Sequence, residues 1–313
     1  MLQLIIQRFR DLFGFQPSSK ANIEHSTHKF SEGKSTIDIN TPEANLVGWV
    51  ASASAINEVF RQRAIEAAGQ LNHQQIEDLP LYFYYPNNPH KPKEAKDKFT
   101  GLGDWQFASQ IAIFEIFYNR PEISLPLIRK YAFGEYDWTQ THAIYVLCRL
   151  AADGIIDPEK TVNELIAFFP RMTYETEHTT IDKLSLIKPA PPNLVQFIKE
   201  RIEKDETIDQ AGIDLGTLIA LVRVAPEEAK IYRSALEDKI NGKFELESNQ
   251  KVPSFEQLQA MVVVSMIYPE ELEIHSTLLN WMKNHPDATI RRGLKIAISE
   301  LPYIQFNNRE NDE

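Results

Sequence analysis

The chain has 313 residues, of which 43% are hydrophobic and 25% are charged, and its net charge at pH 7 is −11. This composition is typical of a folded globular protein and excludes a chain that is disordered throughout. No stretch approaches the roughly 18 consecutive apolar residues that a membrane-spanning helix requires, and the excess of acidic residues argues against general binding to nucleic acid.

The acidic charge is unevenly distributed along the sequence. Residues 1–100 contain 11 basic and 11 acidic residues, which leaves 22 basic against 33 acidic residues in 101–313. Because opposite charges attract over several ångströms, a surface of this kind attracts and steers a basic protein partner.

Cysteine usage and the N-terminal sequence bear on the cellular compartment. The single cysteine, Cys148, permits no internal disulfide and is typical of a reducing interior. Polar residues such as Gln3, Arg8 and Arg10 interrupt the N-terminal apolar residues, and no small-residue cleavage site follows. We therefore expect a cytoplasmic protein.

An amphipathic helix is predicted for residues 1–15, ahead of a polar linker at 16–42. Its apolar residues follow the three-and-four spacing of one helix face: Leu2, Ile5, Ile6, Phe9, Leu12 and Phe13. We expect this helix to dock onto the protein's own first helices. Peripheral membrane contact by residues 2–13 is the alternative, which their few basic residues disfavour.

Residues 43–103 combine a helix with an aromatic, proline-rich segment. Thr41 and Pro42 are typical of a helix start and predict a helix over about 43–71. The segment 79–103 holds four consecutive aromatic residues, then three prolines and a lysine-rich run, which predicts a long loop or a single strand-like piece. We expect its aromatic residues to close the end of a helical stack. An element that stacks nucleic-acid bases is the alternative.

About eleven helical segments follow between Asp104 and Pro302, separated by short breaks that carry Pro, Gly or Asp. They fall into pairs, namely 105–118 with 122–133, 138–153 with 158–169, 175–187 with 192–204, 207–224 with 226–241, and 254–268 with 270–284, before a last helix at 288–301. Residues 303–313 form an acidic tail.

Capping residues mark where several of these helices begin. Asp157 precedes Pro158, a proline at a first helical position, and Ser254 with Gln257 is the pattern of a capping box. The first members of successive pairs begin about 31 to 48 residues apart, which is the period range of helical solenoids. The sequence therefore predicts an all-α fold, with an α-solenoid over 104–302 and residues 1–103 as its N-terminal cap.

One segment adds a family resemblance. The sequence PDATIRRGLKIAISEL at 286–301 combines an aspartate at a helix start, four apolar residues at helical spacing and two adjacent arginines. These residues are Asp287, then Ile290, Leu294, Ala297 and Leu301, and Arg291 with Arg292. In this the segment resembles the first helix of a HEAT-type repeat, and residues 141–155 match that pattern more loosely. The resemblance implies HEAT-like stacked helix pairs and leaves the chemistry open.

No motif in the sequence has the spacing of a metal site or of an activated nucleophile. HEAT-like enzymes that resemble deoxyhypusine hydroxylase hold two irons with repeated His-Glu dipeptides, whereas Glu24-His25 and Glu177-His178 run in the reverse order. A helix with the HExxH pattern is also missing, so we expect neither a metal nor another cofactor. Cys148 lies in an apolar helical run, which is the setting of an inert packed thiol.

The function we expect is a non-enzymatic protein-interaction module that binds a basic protein partner through an extended helical-repeat surface. In HEAT-like stacks the second helix of each pair generally lines the concave side. On those helices the candidate binding residues are Glu159, Glu164, Glu200, Glu203 and Glu237, and Lys160, Lys199, Lys230 and Arg233 lie between them. The simpler alternative is that all of these belong to ordinary solvated helix faces.

Two further functions remain open at this point. One is an all-helical repeat enzyme, a hydrolase or lyase, with carboxylates in its groove. The other is a HEAT-like DNA-repair glycosylase, which requires a basic groove and is therefore disfavoured by the acidity of residues 101–313.

Overall fold

The computed structural model describes residues 37–301, with gaps at 54–55, 97, 100–101, 136–137, 205–213, 243–244, 248–249 and 300. Within that part of the chain the protein is all-helical apart from one short hairpin. The predicted amphipathic helix at 1–15, most of the predicted linker and the acidic tail at 303–313 lie outside the described residues.

The described residues divide into two compact units, the first ending at Lys183 and the second beginning at Leu184. The helices of the first unit are α1 (Pro42–Ala51), α2 (Glu58–Gln70), α3 (His73–Asp78), α4 (Leu102–Tyr118), α5 (Pro121–Ala132), α6 (Trp138–Ala152), α7 (Pro158–Phe168) and α8 (Tyr174–Leu184), whose last residue reaches the boundary. Three short 3₁₀ helices accompany them, at Leu79–Tyr82, Lys93–Ala95 and Phe169–Arg171.

The second unit contains the remaining elements. These are α9 (Pro192–Lys204), α10 (Leu215–Val224), α11 (Pro226–Ala229), a 3₁₀ helix (Lys230–Tyr232), α12 (Arg233–Ile240), α13 (Phe255–Ile267), α14 (Leu272–Asn284) and α15 (Ala288–Ser299). Between α12 and α13 lie the strands β1 (Glu245–Glu247) and β2 (Gln250–Val252), which pair antiparallel with Glu245 opposite Val252.

Side-chain caps begin several helices where the sequence predicts them. The Thr41 side chain accepts a hydrogen bond from the Ala44 backbone at 3.2 Å. Ser254 and Gln257 form a reciprocal capping box at the start of α13. Such caps satisfy backbone N–H groups that the first helical turn leaves without partners, so these starts are determined locally.

The core of the first unit is built around α4, which is apolar on nearly all sides. Ile113, Phe114, Ile116 and Phe117 are all buried, and the helix packs against α1, α2, α5 and α6. Because the sequence of α4 has few polar positions, it can only lie inside the unit, with other helices on every side.

The core of the second unit joins α13, α14 and α15. Leu258 of α13 packs with Leu278 of α14 and with Leu294 and Ile298 of α15. The predicted stripe on α15 is confirmed, since Leu294 and Leu301 are buried while Ile290 and Ala297 pack partly buried against the same core.

Asp287 caps α15, as predicted from the sequence. Its carboxylate accepts hydrogen bonds from the backbones of Thr289 at 2.6 Å and Ile290 at 3.4 Å. These hydrogen bonds lower the pKa of the Asp287 carboxyl, with the bond from Thr289 contributing most.

The predicted single helix at 43–71 is wrong, because two helices occupy that range. Helix α1 ends at Ala51 and α2 begins at Glu58. Asn57 has an extended backbone conformation, and its side chain accepts a hydrogen bond from the Phe60 backbone at 3.0 Å. Asn57 therefore caps the start of a second helix within the range predicted as one.

Two other predicted helices also differ from the structure. The range 226–241 is divided by the 3₁₀ turn at Lys230–Tyr232, and the helix expected from 270 begins at Leu272 instead. Of the predicted helix at 207–224, residues 207–213 lie outside the described part and the rest forms α10. Helix α3 and the β1–β2 hairpin were not predicted.

None of the described helices combines the length and the apolar character needed to cross a membrane.

Replacing either of two glycines with alanine is expected to change the free energy of unfolding, in opposite directions at the two positions. Gly154 follows α6 at φ +69°, a conformation that a side chain disfavours, and the Ile155 backbone donates to Leu150 O at 2.9 Å. Gly154→Ala is expected to cost about 1 kcal/mol, whereas Gly69→Ala, near the end of α2 with open space at its Cβ, is expected to gain up to about 1 kcal/mol. Urea denaturation of both variants tests this, and equal shifts in one direction would contradict it.

Candidate protein-binding surface

Helix α7 carries two of the five candidate binding residues. Pro158 is its first residue, and Asp157 caps its start. The Asp157 carboxylate accepts a hydrogen bond from the Lys160 backbone at 2.9 Å. Val162 and Leu165 are fully buried and attach one face of the helix to the first unit. The predicted cap at Asp157 is confirmed, and the opposite face of α7 points to solvent.

A concavity of about 460 Å³ opens along the solvent side of α7. It is lined by Asp157, Glu159, Lys160, Asn163, Glu164 and Ala167. The lining carries three carboxylates against one ammonium group, so its charge is net negative. Glu159 is exposed at the helix start, and no ion pair among the described residues engages it.

Glu164 is paired within the protein. The Arg129 guanidinium of α5 donates a charge-assisted hydrogen bond to its carboxylate. Arg129 also lies over the Phe133 ring at 5.8 Å, and that ring meets the Phe168 ring edge-on with centroids 5.4 Å apart. An ion pair and a ring pair therefore connect α5 and α7, which the sequence predicts to be the second helices of two successive pairs.

The other three candidate residues lie in the second unit. Glu203 is exposed near the end of α9, and Glu200 accepts a hydrogen bond from the Gln196 side chain at 3.1 Å. Glu237 accepts one from Arg233 Nε at 2.6 Å. The structure thus places Glu159 and Glu164 together at the concavity and the other three on α9 and α12.

The interleaving basic residues of the second unit are themselves paired. Lys199 lies 2.7 Å from Glu228, Lys230 lies 2.8 Å from Glu227, and Arg233 binds Glu271 through its two terminal guanidinium nitrogens. The hydrogen bond to Glu271 is the largest cause that raises the pKa of Arg233 above its ordinary value. On these helices the pairing of acids with bases resembles ordinary solvated faces, as the simpler alternative expected.

Cys148 and His142 are removed from solvent on α6. Burial raises the pKa of the Cys148 thiol to about 12, which keeps it protonated at neutral pH. Burial also lowers the pKa of His142 to about 3, and the charge of Lys183 adds to that effect. The predicted packed position of Cys148 is confirmed by this burial.

The aromatic segment contributes to the core of the first unit. Phe83 is fully buried and stacks on Phe114 with ring centroids 5.2 Å apart. Tyr82 is also buried and donates to Glu43 Oε1 at 3.2 Å. These two rings are not available to stack on bases. Of the two forms predicted for this segment, the strand-like piece is wrong and the loop is confirmed, since residues 83–92 form a loop between two 3₁₀ helices. Tyr85 remains 60% exposed.

Sequence reasoning missed a buried ion pair between α4 and α6. Arg149 donates to Glu115 Oε2 at 2.6 Å, and their side chains are 15% and 4% exposed. Tyr118 covers the guanidinium, with 3.8 Å between Cζ and the ring centroid. The sequence indicates such a pair because Glu115 lies within an apolar run of α4, where a buried carboxylate requires a partner.

Within the described ranges, no group of three or more His, Cys, Asp or Glu residues is arranged to hold a metal ion. The reversed dipeptide Glu177-His178 lies on α8, and Glu24-His25 lies outside the described residues.

Comparison with known proteins gives no relative for this chain: no family model, curated protein or solved structure matches it.

Proposed function

We propose that this chain is a non-enzymatic helical-repeat protein of HEAT-like architecture that binds a basic protein partner, with a reducing interior such as the cytoplasm as its setting. The observation that carries the proposal is the acidic, solvent-open concavity on α7, because two of the glutamates selected from the sequence line it. A shallow surface of this kind suits a partner's side chains better than it suits enclosure of a small substrate.

The repeat architecture is supported by contacts inside the first unit. Helices α4 and α6, the first members of two successive pairs, pack on each other. Their second members, α5 and α7, are connected by the Arg129–Glu164 ion pair and the Phe133–Phe168 ring pair. Contacts between equivalent helices of neighbouring pairs are the defining contacts of a helical repeat.

The groups with nucleophilic or acid–base chemistry support binding over catalysis. Cys148 is buried and Glu115 is engaged with Arg149 in the core. Catalysis requires such groups within hydrogen-bond reach of a substrate, whereas the carboxylates at the concavity lie on an open surface that does not enclose a small molecule.

The test of this proposal is a charge reversal with a matched control. Glu159→Lys reverses an exposed carboxylate at the second position of α7, and Glu273→Lys makes the same change at the second position of α14. Both variants lose the same charge and the same favourable position at a helix start. We expect Glu159→Lys to weaken partner binding about tenfold or more, and Glu273→Lys to leave it nearly unchanged.

The measurement is an affinity capture from the source cell at low and at physiological salt, followed by binding assays on the captured protein. A supporting partner is basic, is bound more weakly at physiological salt than at low salt, and is lost with Glu159→Lys but not with Glu273→Lys. If Glu159→Lys and Glu273→Lys bind the partner equally well, or if binding does not depend on salt, the interface lies elsewhere and the proposal is contradicted.

A further inference from the structure

Arg129 already occupies the position at Glu164 that a basic partner has to reach. Resting on the proposed function, we propose that this end of the α7 concavity receives an arginine side chain of the partner, and that Arg129 is an autoinhibitory contact which that arginine displaces. The ion pair between Arg129 and Glu164 spans α5 and α7, so Arg129 neutralises one of the three carboxylates that line the concavity.

The surroundings of Glu164 suit a guanidinium group better than an ammonium group. The guanidinium that pairs with Glu164 also lies over the ring of Phe133, which contacts the ring of Phe168, and Arg171 lies over that second ring. Arg129 lies 5.8 Å from the Phe133 centroid, and Arg171 lies 5.1 Å from the Phe168 centroid. A planar guanidinium binds a carboxylate through a fixed fork and stacks on rings, whereas an ammonium group is compact and strongly hydrated.

The ion pair is accessible enough to exchange. The side chains of Arg129 and Glu164 are 31% and 29% exposed, so the pair is partly solvated and contributes at most about 1 kcal/mol. When an incoming arginine replaces Arg129, one guanidinium–carboxylate contact is lost and an equivalent one is formed. The displaced Arg129 side chain returns to water, and no uncompensated charge remains buried.

Removal of Arg129 should therefore strengthen binding of an arginine peptide to the full chain. The probe is a capped peptide of alternating arginine and glycine, and a lysine–glycine peptide of the same length is the comparison. We expect Arg129→Gln to bind the arginine peptide up to about fivefold more tightly than the wild type does, which corresponds to about 1 kcal/mol. The gain for the lysine peptide should be smaller.

The matched control is Arg233→Gln in the second unit. The Arg233–Glu271 pair has side chains 31% and 28% exposed, nearly the values for Arg129 and Glu164, and the substitution changes the net charge equally. We expect Arg233→Gln to leave affinity within about twofold of the wild type, because Arg233 does not pair with a residue of the α7 concavity. Arg129→Lys, which keeps the charge but loses the fork, is expected to give a smaller gain than Arg129→Gln.

Fluorescence anisotropy at low salt measures all of these affinities, and circular dichroism confirms that each variant is folded. Equal tightening by Arg129→Gln and Arg233→Gln would reduce the effect to net charge and overturn the inference. Weaker binding by Arg129→Gln would also overturn it, because Arg129 would then organise the site. If Glu159→Lys fails to weaken binding of the basic partner, it is the proposed function itself that fails.

Discussion

Between pH 7 and pH 4 a His142→Leu variant is expected to lose much less unfolding free energy than the wild type. Burial lowers the pKa of His142 in the folded protein to about 3, whereas an unfolded histidine titrates near 6.5. As the pH falls below about 6.5, His142 becomes protonated in the unfolded chain but stays neutral in the folded protein. The wild type therefore loses about 3 kcal/mol by pH 4, and about 5 kcal/mol once the pH is below 3.

The geometry around His142 explains why it stays neutral. Its ring lies between aromatic side chains, with centroids 5.0 Å from Phe107 and 6.2 Å from Phe114, and Nε2 has no hydrogen-bond partner among the described residues. Lys183, which is 4% exposed, is the charged group that acts on it. A second positive charge at this position would be desolvated and would repel Lys183.

Urea denaturation at pH 7, 5 and 4 gives the unfolding free energies. Leucine is close to histidine in volume and carries no titrating group, so the wild-type and variant curves should diverge as the solution becomes acidic. His73→Gln, at a histidine whose side chain is 67% exposed, should follow the wild type. Parallel curves for His142→Leu and the wild type would show that His142 does not titrate with folding.

Arg149→Met is expected to destabilise the protein by about 3–5 kcal/mol, because it leaves the buried Glu115 carboxylate without its partner. Burial by itself lowers the pKa of Arg149, but the hydrogen bond and the charge of Glu115 outweigh it and hold that pKa above its ordinary value. The guanidinium also loses its contacts with the rings of Tyr118 and Tyr145, at 3.8 and 5.3 Å. Neither helix offers Glu115 a replacement cation at this depth.

The double variant Glu115→Leu with Arg149→Met distinguishes the pair from its packing. Replacing both members with apolar residues removes the uncompensated charge, so this variant should recover most of the lost stability. Arg129→Met, in a pair that is about one-third exposed, should cost no more than about 1 kcal/mol. A double variant as unstable as Arg149→Met alone would show that the arginine acts through packing and not through its charge.

Where the helices begin and which face they bury could be predicted from the sequence in several places. Helix α7 starts after Asp157 and α13 after Ser254, as predicted, and α15 buries the predicted stripe. These features depend on hydrogen bonds and spacings between residues no more than four positions apart, so the local sequence contains the necessary information. The all-α fold class follows from the same periodicity.

Which charges are engaged was decided only by the tertiary structure. Glu159 and Glu164 lie on one helix, yet Glu164 is held by Arg129, 35 residues earlier, while Glu159 remains exposed. The partner of Glu115 lies 34 residues away on another helix. Such ion pairs depend on which helices pack together and on how far each is shifted along its axis relative to the other. The apolar spacing of a helix determines the face that it buries, but it does not determine which helix packs against that face. For that reason the sequence selected the glutamates of α7, and only the packed helices showed that Glu164 is engaged within the protein while Glu159 is exposed.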